Sequence, residues 1–243
     1  MIRLALLDDD APERFPDPEQ ALDDPNGLLA FGGDLSPRRL LAAYRRGIFP
    51  WFGEHEPLLW WSPDPRCVFR TDRLRPNRSL RRRLAGKPWS ITVDRAFRAV
   101  VEACAAPRPG QAGTWIVPSM LEAYAALHEL GHAHSVEVWD GTRLVGGIYG
   151  VAVGRLFCGE SMFSHESGGS KLALCALAAL LRRWGFPLID AQVSNPHLLM
   201  LGAEEVPRRA FLDEAVRLAA ASSDAAGWRG VPAMALADLL RET

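Results

Sequence analysis

Two stretches carry polar groups where a buried strand would hold only aliphatic residues: Gly159-Glu-Ser-Met-Phe-Ser164 and Leu188-Ile-Asp-Ala-Gln192. Successive side chains of a strand alternate faces, so Asp190 and Gln192 are expected to point the same way, with Ala191 opposite. A buried carboxylate beside a buried amide requires partners or a reaction to serve. The chemistry is therefore placed at this pair, the alternative being a hydrogen-bonded pair of purely structural value. No Ser-His-Asp or Cys-His arrangement is visible. His132 and His134 form a His-x-His pair. Zinc needs a third ligand, however, and no Cys or carboxylate lies at a suggestive spacing, so no metal is expected.

The elements that must position these groups are legible in outline. From Cys67 onward the pattern predicts a strand over 89–93 and a helix over 95–105. A capping box at Ser119-Met-Leu-Glu122 opens a further helix that stops at Gly131. Antiparallel strands follow over 135–139, 144–153 and 155–161, with a tight turn at Asp140-Gly141. A helix over 171–184 and a strand over 188–193 close the series. This is the order of an α+β acyltransferase of the GNAT type, in which a helix N-terminus cradles the donor's phosphates. Ser167-Gly-Gly-Ser-Lys171 occupies the matching place without the spacing of a P-loop. Residues 1–65 differ, being rich in Pro, Gly and aromatics. They hold one clear helix, with Ser36 as N-cap, Pro37 at the first position and Gly47 at the end. The expected division is a small N-terminal α/β domain over 1–65 and a GNAT-like catalytic domain over 66–243, ending in an Ala-rich helical tail.

At 243 residues with 48% hydrophobic and 23% charged residues, the chain has the composition of a globular enzyme. No apolar run is long enough to span a bilayer, and the acidic start does not read as a signal peptide. The four cysteines show no framework spacing, as in a reducing compartment, and a cytoplasmic location is expected. The net charge of −1 conceals a segregated distribution, since Arg66, Arg70, Arg73, Arg75, Arg78, Arg81, Arg82, Arg83 and Lys87 fall within 22 residues that hold one acid, Asp72. Such a run is either a solvated face or a salt-sensitive phosphate-contacting patch.

Several motifs together resemble those of the leucyl/phenylalanyl-tRNA–protein transferases. They include Asn26-Gly-Leu-Leu-Ala30, Gly32-Gly-Asp-Leu-Ser-Pro37, Tyr44-Arg-Arg-Gly-Ile-Phe-Pro-Trp-Phe52 and Trp60-Trp-Ser-Pro-Asp-Pro-Arg66. Gly113-Thr-Trp-Ile116, Leu127-His-Glu-Leu-Gly-His-Ala-His-Ser135, Phe157-Cys-Gly-Glu-Ser-Met-Phe-Ser164, Leu188-Ile-Asp190 with Gln192, and Pro207-Arg-Arg209 continue the match in order over about residues 20–211. The resemblance implies transfer of Leu or Phe, and less so Met, from aminoacyl-tRNA to the α-amino group of a protein beginning with Arg or Lys, marking it for degradation. No coenzyme A or other cofactor is implied.

Carried onto this chain, the resemblance places the Gln192 carbonyl on the incoming amine, with Asp190 supporting it and holding the cationic acceptor. Glu160 would bind the donor's α-amino group or fix Gln192, a structural salt bridge being the alternative. Ile148, Phe157, Met162, Leu174, Leu177 and Ile189 would line the donor side-chain pocket, although each reads by itself as core. Trp51 and Trp115 would stack on the terminal adenosine of the tRNA. Arg66, Arg70, Arg78, Arg81, Arg82, Arg83 and Lys87 would grip acceptor-stem phosphates. A coenzyme A-dependent acyltransferase and a non-catalytic RNA-binding module are the rival readings. No coiled coil suggests more than a monomer.

Overall fold

The computed structural model describes residues 4–107, 114–222, 227, 228, 230–236 and 238. The first part of the chain makes a four-stranded sheet of β1 (Ala5–Leu7), β2 (Leu28–Gly32), β3 (Phe49–Pro50) and β4 (Leu59–Trp61), in the order β1-β2-β4-β3. Helix α1 (Pro37–Tyr44) sits between β2 and β3. It starts as predicted, with Ser36 Oγ accepting the Arg39 N–H at 3.3 Å and Pro37 at the first position.

The second sheet contains β5 (Arg66–Arg70), β6 (Trp89–Val93), β7 (Ala133–Asp140), β8 (Arg143–Val153), β9 (Leu156–Ser164), β10 (Leu188–Gln192), β11 (Glu204–Val206) and β12 (Met234–Ala235). Their order is β11-β5-β10-β9-β8-β7-β6-β12, antiparallel except for the β9–β10 pair. Around the sheet lie α2 (Arg78–Leu84), α3 (Phe97–Ala105), α4 (Pro118–Glu129), α5 (Gly169–Arg183), α6 (Pro196–Met200) and α7 (Arg208–Ala220). The protein is thus a mixed α/β fold with two mixed sheets.

Two apolar layers hold the large sheet. On one face Tyr44, Phe49 and Trp60 of the small sheet and its helix pack in one cluster with Val68, Tyr124 and Phe211, so the two sheets share a core. On the other face α5 buries Leu172, Leu174, Leu177 and Leu181 against β6–β10. Burying one such side chain contributes about 1.5–3 kcal/mol. The helix approaches closely because Gly146 of β8 and Gly169 of α5 meet backbone to backbone. A Cβ on Gly146 would lie 2.5 Å from the Gly169 Cα.

That packing explains Gly169 of the glycine pair that the sequence offers as a phosphate cradle, and a left-handed φ of +99° explains Gly168. The Gly169 N–H donates to Glu166 O at 2.9 Å and the Ser170 N–H to Ser164 Oγ at 2.8 Å, so two of the amides expected to meet an anion are already engaged. One further expectation is corrected. Helix α4 begins at Pro118 with Val117 as an uncapped N-cap, which puts Ser119 inside the first turn. The tail is helical as expected through Ala220, the end of α7, and at Leu236, and between them it adds strand β12, paired with β6 where Met234 packs against a buried apolar layer. Residues 223–226 and 239–243 of the tail, and Gly113 of the Gly113–Ile116 motif, lie outside the described residues.

The parallel ladder between β9 and β10 positions the site by ending early. It runs from Leu188↔Leu156 to Asp190↔Cys158 and stops. Next to that point both strands bulge. On β9 the register passes from Tyr149↔Ser161 to Gly150↔Gly159 and skips Glu160. On β10 it passes from Asp190↔Val68 to Gln192↔Cys67 and skips Ala191. Bulges re-aim side chains, and these two turn Glu160 and Gln192 toward each other.

Candidate active site

Gln192 Nε2 donates to Glu160 Oε1 at 2.9 Å across the end of the β9–β10 ladder, and both residues are buried. Because the amide N–H₂ faces Glu160, the Gln192 Oε1 is turned away from it as an acceptor. The Gln192 backbone has φ +61°, a left-handed conformation uncommon outside glycine and found where a structure over-determines it. Its N–H is held by Asp190 Oδ1 at 2.9 Å. The bulge therefore replaces simple alternation, and Asp190 supports Gln192 through its backbone.

Asp190 is itself gripped from the other side. Arg66 Nε donates to Asp190 Oδ1 at 2.8 Å and Arg66 Nη2 to Oδ2 at 2.7 Å, a two-pronged geometry suited to guanidinium and carboxylate. Arg66 is only 1% exposed and lies between the Phe49 and Phe211 rings, at 4.8 and 4.5 Å from their centroids. This corrects two expectations. Arg66 is enclosed and cannot reach a tRNA phosphate, and Asp190 is matched by an internal cation, which removes it as the holder of the acceptor's positive side chain.

Glu160 receives a second hydrogen bond, from Tyr124 Oη to Oε2 at 2.6 Å, and the Tyr124 and Tyr44 hydroxyls lie 3.0 Å apart. The sequence reading missed both tyrosines. Their one signal was a polar tip on an otherwise core-facing aromatic, in α1 and α4. Burial pushes the Glu160 carboxyl up to about 7, against the pull of hydrogen bonds from Tyr124, Tyr44 and Gln192, with Asp190 adding to the rise. Burial also raises Tyr44 and Tyr124 well above the usual phenol range, so both stay protonated donors.

A stability consequence follows from the sign of the Glu160 shift. A carboxyl whose folded value is raised favours the folded state when protonated, so its contribution is full below 4.5 and is lost as pH rises to about 7. At about 1.4 kcal/mol per pKa unit, the loss is of order 3 kcal/mol. Glu160→Gln should remove that slope. Thermal unfolding of the two proteins across this window would refute the assignment if the curves stayed parallel.

Trp51 and Trp115, far apart in sequence, line one open cavity of about 950 Å³, together with Phe52, Trp61, Thr114 and Ser161, the neighbour of Glu160. Trp51 is 41% exposed and meets Trp61 edge to face at 5.4 Å, with Trp61 Nε1 donating to the Trp51 carbonyl at 2.6 Å. The backbone around Trp51 is thus fixed while its ring faces open space. Trp115 is half-buried against the core.

The six apolar candidates fall in one cluster on the α5 face. Ile148, Phe157, Leu174, Leu177 and Ile189 are buried, and Met162 packs partly buried against them. Ile189 lies beside Phe157 in the β9–β10 ladder, and Ile148 opposite Met162 in the β8–β9 ladder.

The basic segment divides. Arg78, Arg82 and Arg83 are exposed on or beside α2, with Arg81 half-buried and Arg83 Nη1 donating to Ser167 Oγ at 2.6 Å. Lys87 pairs with Glu166 at 2.9 Å and lies over the Trp89 ring. Arg70 is engaged by Glu204 and Glu214, each at 2.8 Å, so its expected phosphate contact is also corrected.

The four cysteines are free and buried. Burial pushes Cys67 and Cys175 up to about 12 and also raises Cys158 well above the ordinary thiol value, which disfavours a thiolate nucleophile. The His-x-His pair does not act as a unit, and His134 alone joins a different group. Asp94, His128 and His134 bring ligand atoms within 4.8 Å of one another, with His132 outside the group. In this group His134 Nδ1 is bonded to Asp94 Oδ2 at 2.7 Å and His128 Nδ1 to Ala133 O at 2.8 Å, and His134 Nε2 is buried without a hydrogen-bond partner. Among the described residues no helix is long and apolar enough to cross a membrane.

Comparison with known proteins places the chain in a family. The family model described as leucyl/phenylalanyl-tRNA protein transferase matches residues 68–216, and that of the same family's N-terminal domain matches residues 33–64. A leucyl/phenylalanyl-tRNA–protein transferase of Xanthomonas euvesicatoria pv. vesicatoria is 61% identical over 227 residues, covering 93% of this chain and 91% of its own. One from Xanthomonas axonopodis pv. citri is 63% identical over 210 residues, covering 86% and 84%. Among solved structures, the C-terminal domain of a putative lysylphosphatidylglycerol synthetase from Agrobacterium fabrum aligns at a TM-score of 0.42 and 11% identity, covering 81% of this chain and 73% of that one, too distant to carry an argument. On the family match and these identities, the chain is a transferase enzyme and belongs to the leucyl/phenylalanyl-tRNA–protein transferase family.

Proposed function

We propose that the enzyme moves Leu or Phe, and Met more weakly, from the 3′ end of aminoacyl-tRNA to the α-amino group of proteins beginning with Arg or Lys, creating a degradation signal. The single observation that carries this reading is the Gln192–Glu160 bridge, which stands at the end of the β9–β10 ladder, with Ser161 next to Glu160 lining the cavity that holds Trp51 and Trp115. The catalytic part would be a GNAT-like domain over residues 66–243 behind a small domain over 1–65. The enzyme would act as a cytoplasmic monomer without a cofactor.

The donor is an activated ester, so no ATP is required. The free amine has a pKa of about 8, which leaves a useful neutral fraction at pH 7. Its nitrogen forms the bond to the ester carbonyl carbon as the bond to the ribose oxygen breaks, and the amine's proton passes to that oxygen. The outward-turned Gln192 Oε1 orients the amine, a positioning effect, with a water or a ribose hydroxyl completing the proton transfer. Glu160, near half-ionised at neutral pH, would hold the donor's α-ammonium and fix Gln192. Ile148, Phe157, Met162, Leu174, Leu177 and Ile189 would form the donor side-chain pocket by parting the layer under α5. Apolar pockets discriminate weakly, by about 1–3 kcal/mol per methylene, so some tolerance for Met is expected.

Trp51 and Trp115 would stack on the terminal adenosine, and Arg78, Arg81, Arg82 and Arg83, with Lys87, would contact the acceptor stem. Base stacking contributes about 1–3 kcal/mol. Trp51→Ala should therefore raise the Kd for leucyl-tRNA roughly five- to a hundredfold. An unchanged Kd by filter binding would remove Trp51 from the donor site. The whole reading is tested by incubating the enzyme with leucyl-tRNA and peptides beginning with Arg, Lys or Ala. A mass gain of one leucine on the first two supports it. No gain on any peptide, or equal gain on all three, would overturn it.

A further inference from the structure

With Asp190 matched by Arg66, a different group must meet the positive side chain of the acceptor's first residue. We propose that Glu205 is that group, an inference that rests on the transfer reading. Strand β5 lies between β10 and β11, and its Cys67 is the register partner of Gln192 on one side and of Glu205 on the other. Gln192, Cys67 and Glu205 thus stand in a row across the sheet. At about 4.8 Å per strand, Gln192 and Glu205 are roughly 10 Å apart. An Arg or Lys side chain whose α-amine is held at Gln192 covers that span from its Cα to a hydrogen bond with a carboxylate.

The other acids on these strands are committed. Asp190 meets Arg66, Glu204 meets Arg70 and Arg73, and Glu160 is buried among Tyr124, Tyr44 and Gln192. Glu205 is exposed on the edge strand β11, and among the described residues no cation pairs with it. Its partner is the Ser194 hydroxyl, two residues beyond Gln192, which orients the carboxylate and leaves its charge unmatched. Val193, 42% exposed between Gln192 and Ser194, offers an apolar surface to the side chain's methylenes.

The assignment is tested by transfer from saturating leucyl-tRNA to peptides beginning with Arg and with Asp, using wild type, Glu205→Gln and Glu205→Arg. A charge-assisted hydrogen bond lost on Glu205→Gln should raise KM for the Arg peptide roughly ten- to a hundredfold. The kcat and the leucyl-tRNA Kd should hold. Glu205→Arg should reject the Arg peptide further and accept the Asp peptide better than wild type does. An unchanged KM in Glu205→Gln, or a loss confined to kcat or to leucyl-tRNA binding, would overturn the proposal. Failure of the underlying reading is separable, since wild type would then transfer to neither peptide.

Discussion

Arg66→Met is expected to lower the unfolding free energy by about 3–5 kcal/mol, because it leaves the Asp190 carboxylate buried without its cation. Both side chains are 1% exposed, so water cannot replace the lost partner. Natural domains have only about 5–15 kcal/mol in total, so the variant should unfold at markedly lower urea. Arg66→Lys should not restore it, because an ammonium does not reproduce the two parallel N–H donors. The double variant Arg66→Met/Asp190→Leu separates stability from positioning. Replacing a buried ion pair with apolar groups is often neutral, so its stability should recover. Transfer should not, because the Gln192 N–H loses the Asp190 Oδ1 that holds its left-handed backbone. A double variant with wild-type transfer would show that the bulge needs no such support.

Gln192→Ala is expected to slow single-turnover transfer by about 10²-fold or more, the scale on which removing one preorganised polar group acts. Gln192 Nε2 is fixed by Glu160 at 2.9 Å and its backbone by Asp190 at 2.9 Å, so the amide is oriented before substrate arrives. Gln192→Glu should fare no better. It would bring a second carboxylate to Glu160, and two carboxylates in one site cannot both ionise readily. A transfer rate in Gln192→Ala within experimental error of wild type would move the chemistry elsewhere.

The polarity of Asp190, Gln192 and Glu160 within apolar runs was enough to single them out. Strand alternation misjudged how they meet. Bulges at Glu160 and Ala191 set their directions, and a bulge depends on the register of neighbouring strands rather than on local residue types. The helix at Ser36-Pro37 was legible because capping is local. The Arg66–Asp190 pair was not, since 124 residues separate its members and Arg66 stood in a run of arginines that read as one surface. Tyr44 and Tyr124 were hidden for the same reason, being ordinary core aromatics until the fold brings both near Glu160. Asp94 joins His128 and His134 only through the pairing of β6 with β7, which no spacing along the chain shows.

The most direct test separates holding the donor from transferring it, by measuring the Kd for leucyl-tRNA and the single-turnover rate at saturating leucyl-tRNA in Trp51→Ala and Gln192→Ala. The account predicts opposite signatures: Trp51→Ala weakens binding and keeps the saturating rate, and Gln192→Ala keeps binding and loses the rate. Loss of leucyl-tRNA binding in Gln192→Ala with a normal saturating rate, or a normal Kd with a collapsed rate in Trp51→Ala, would contradict it.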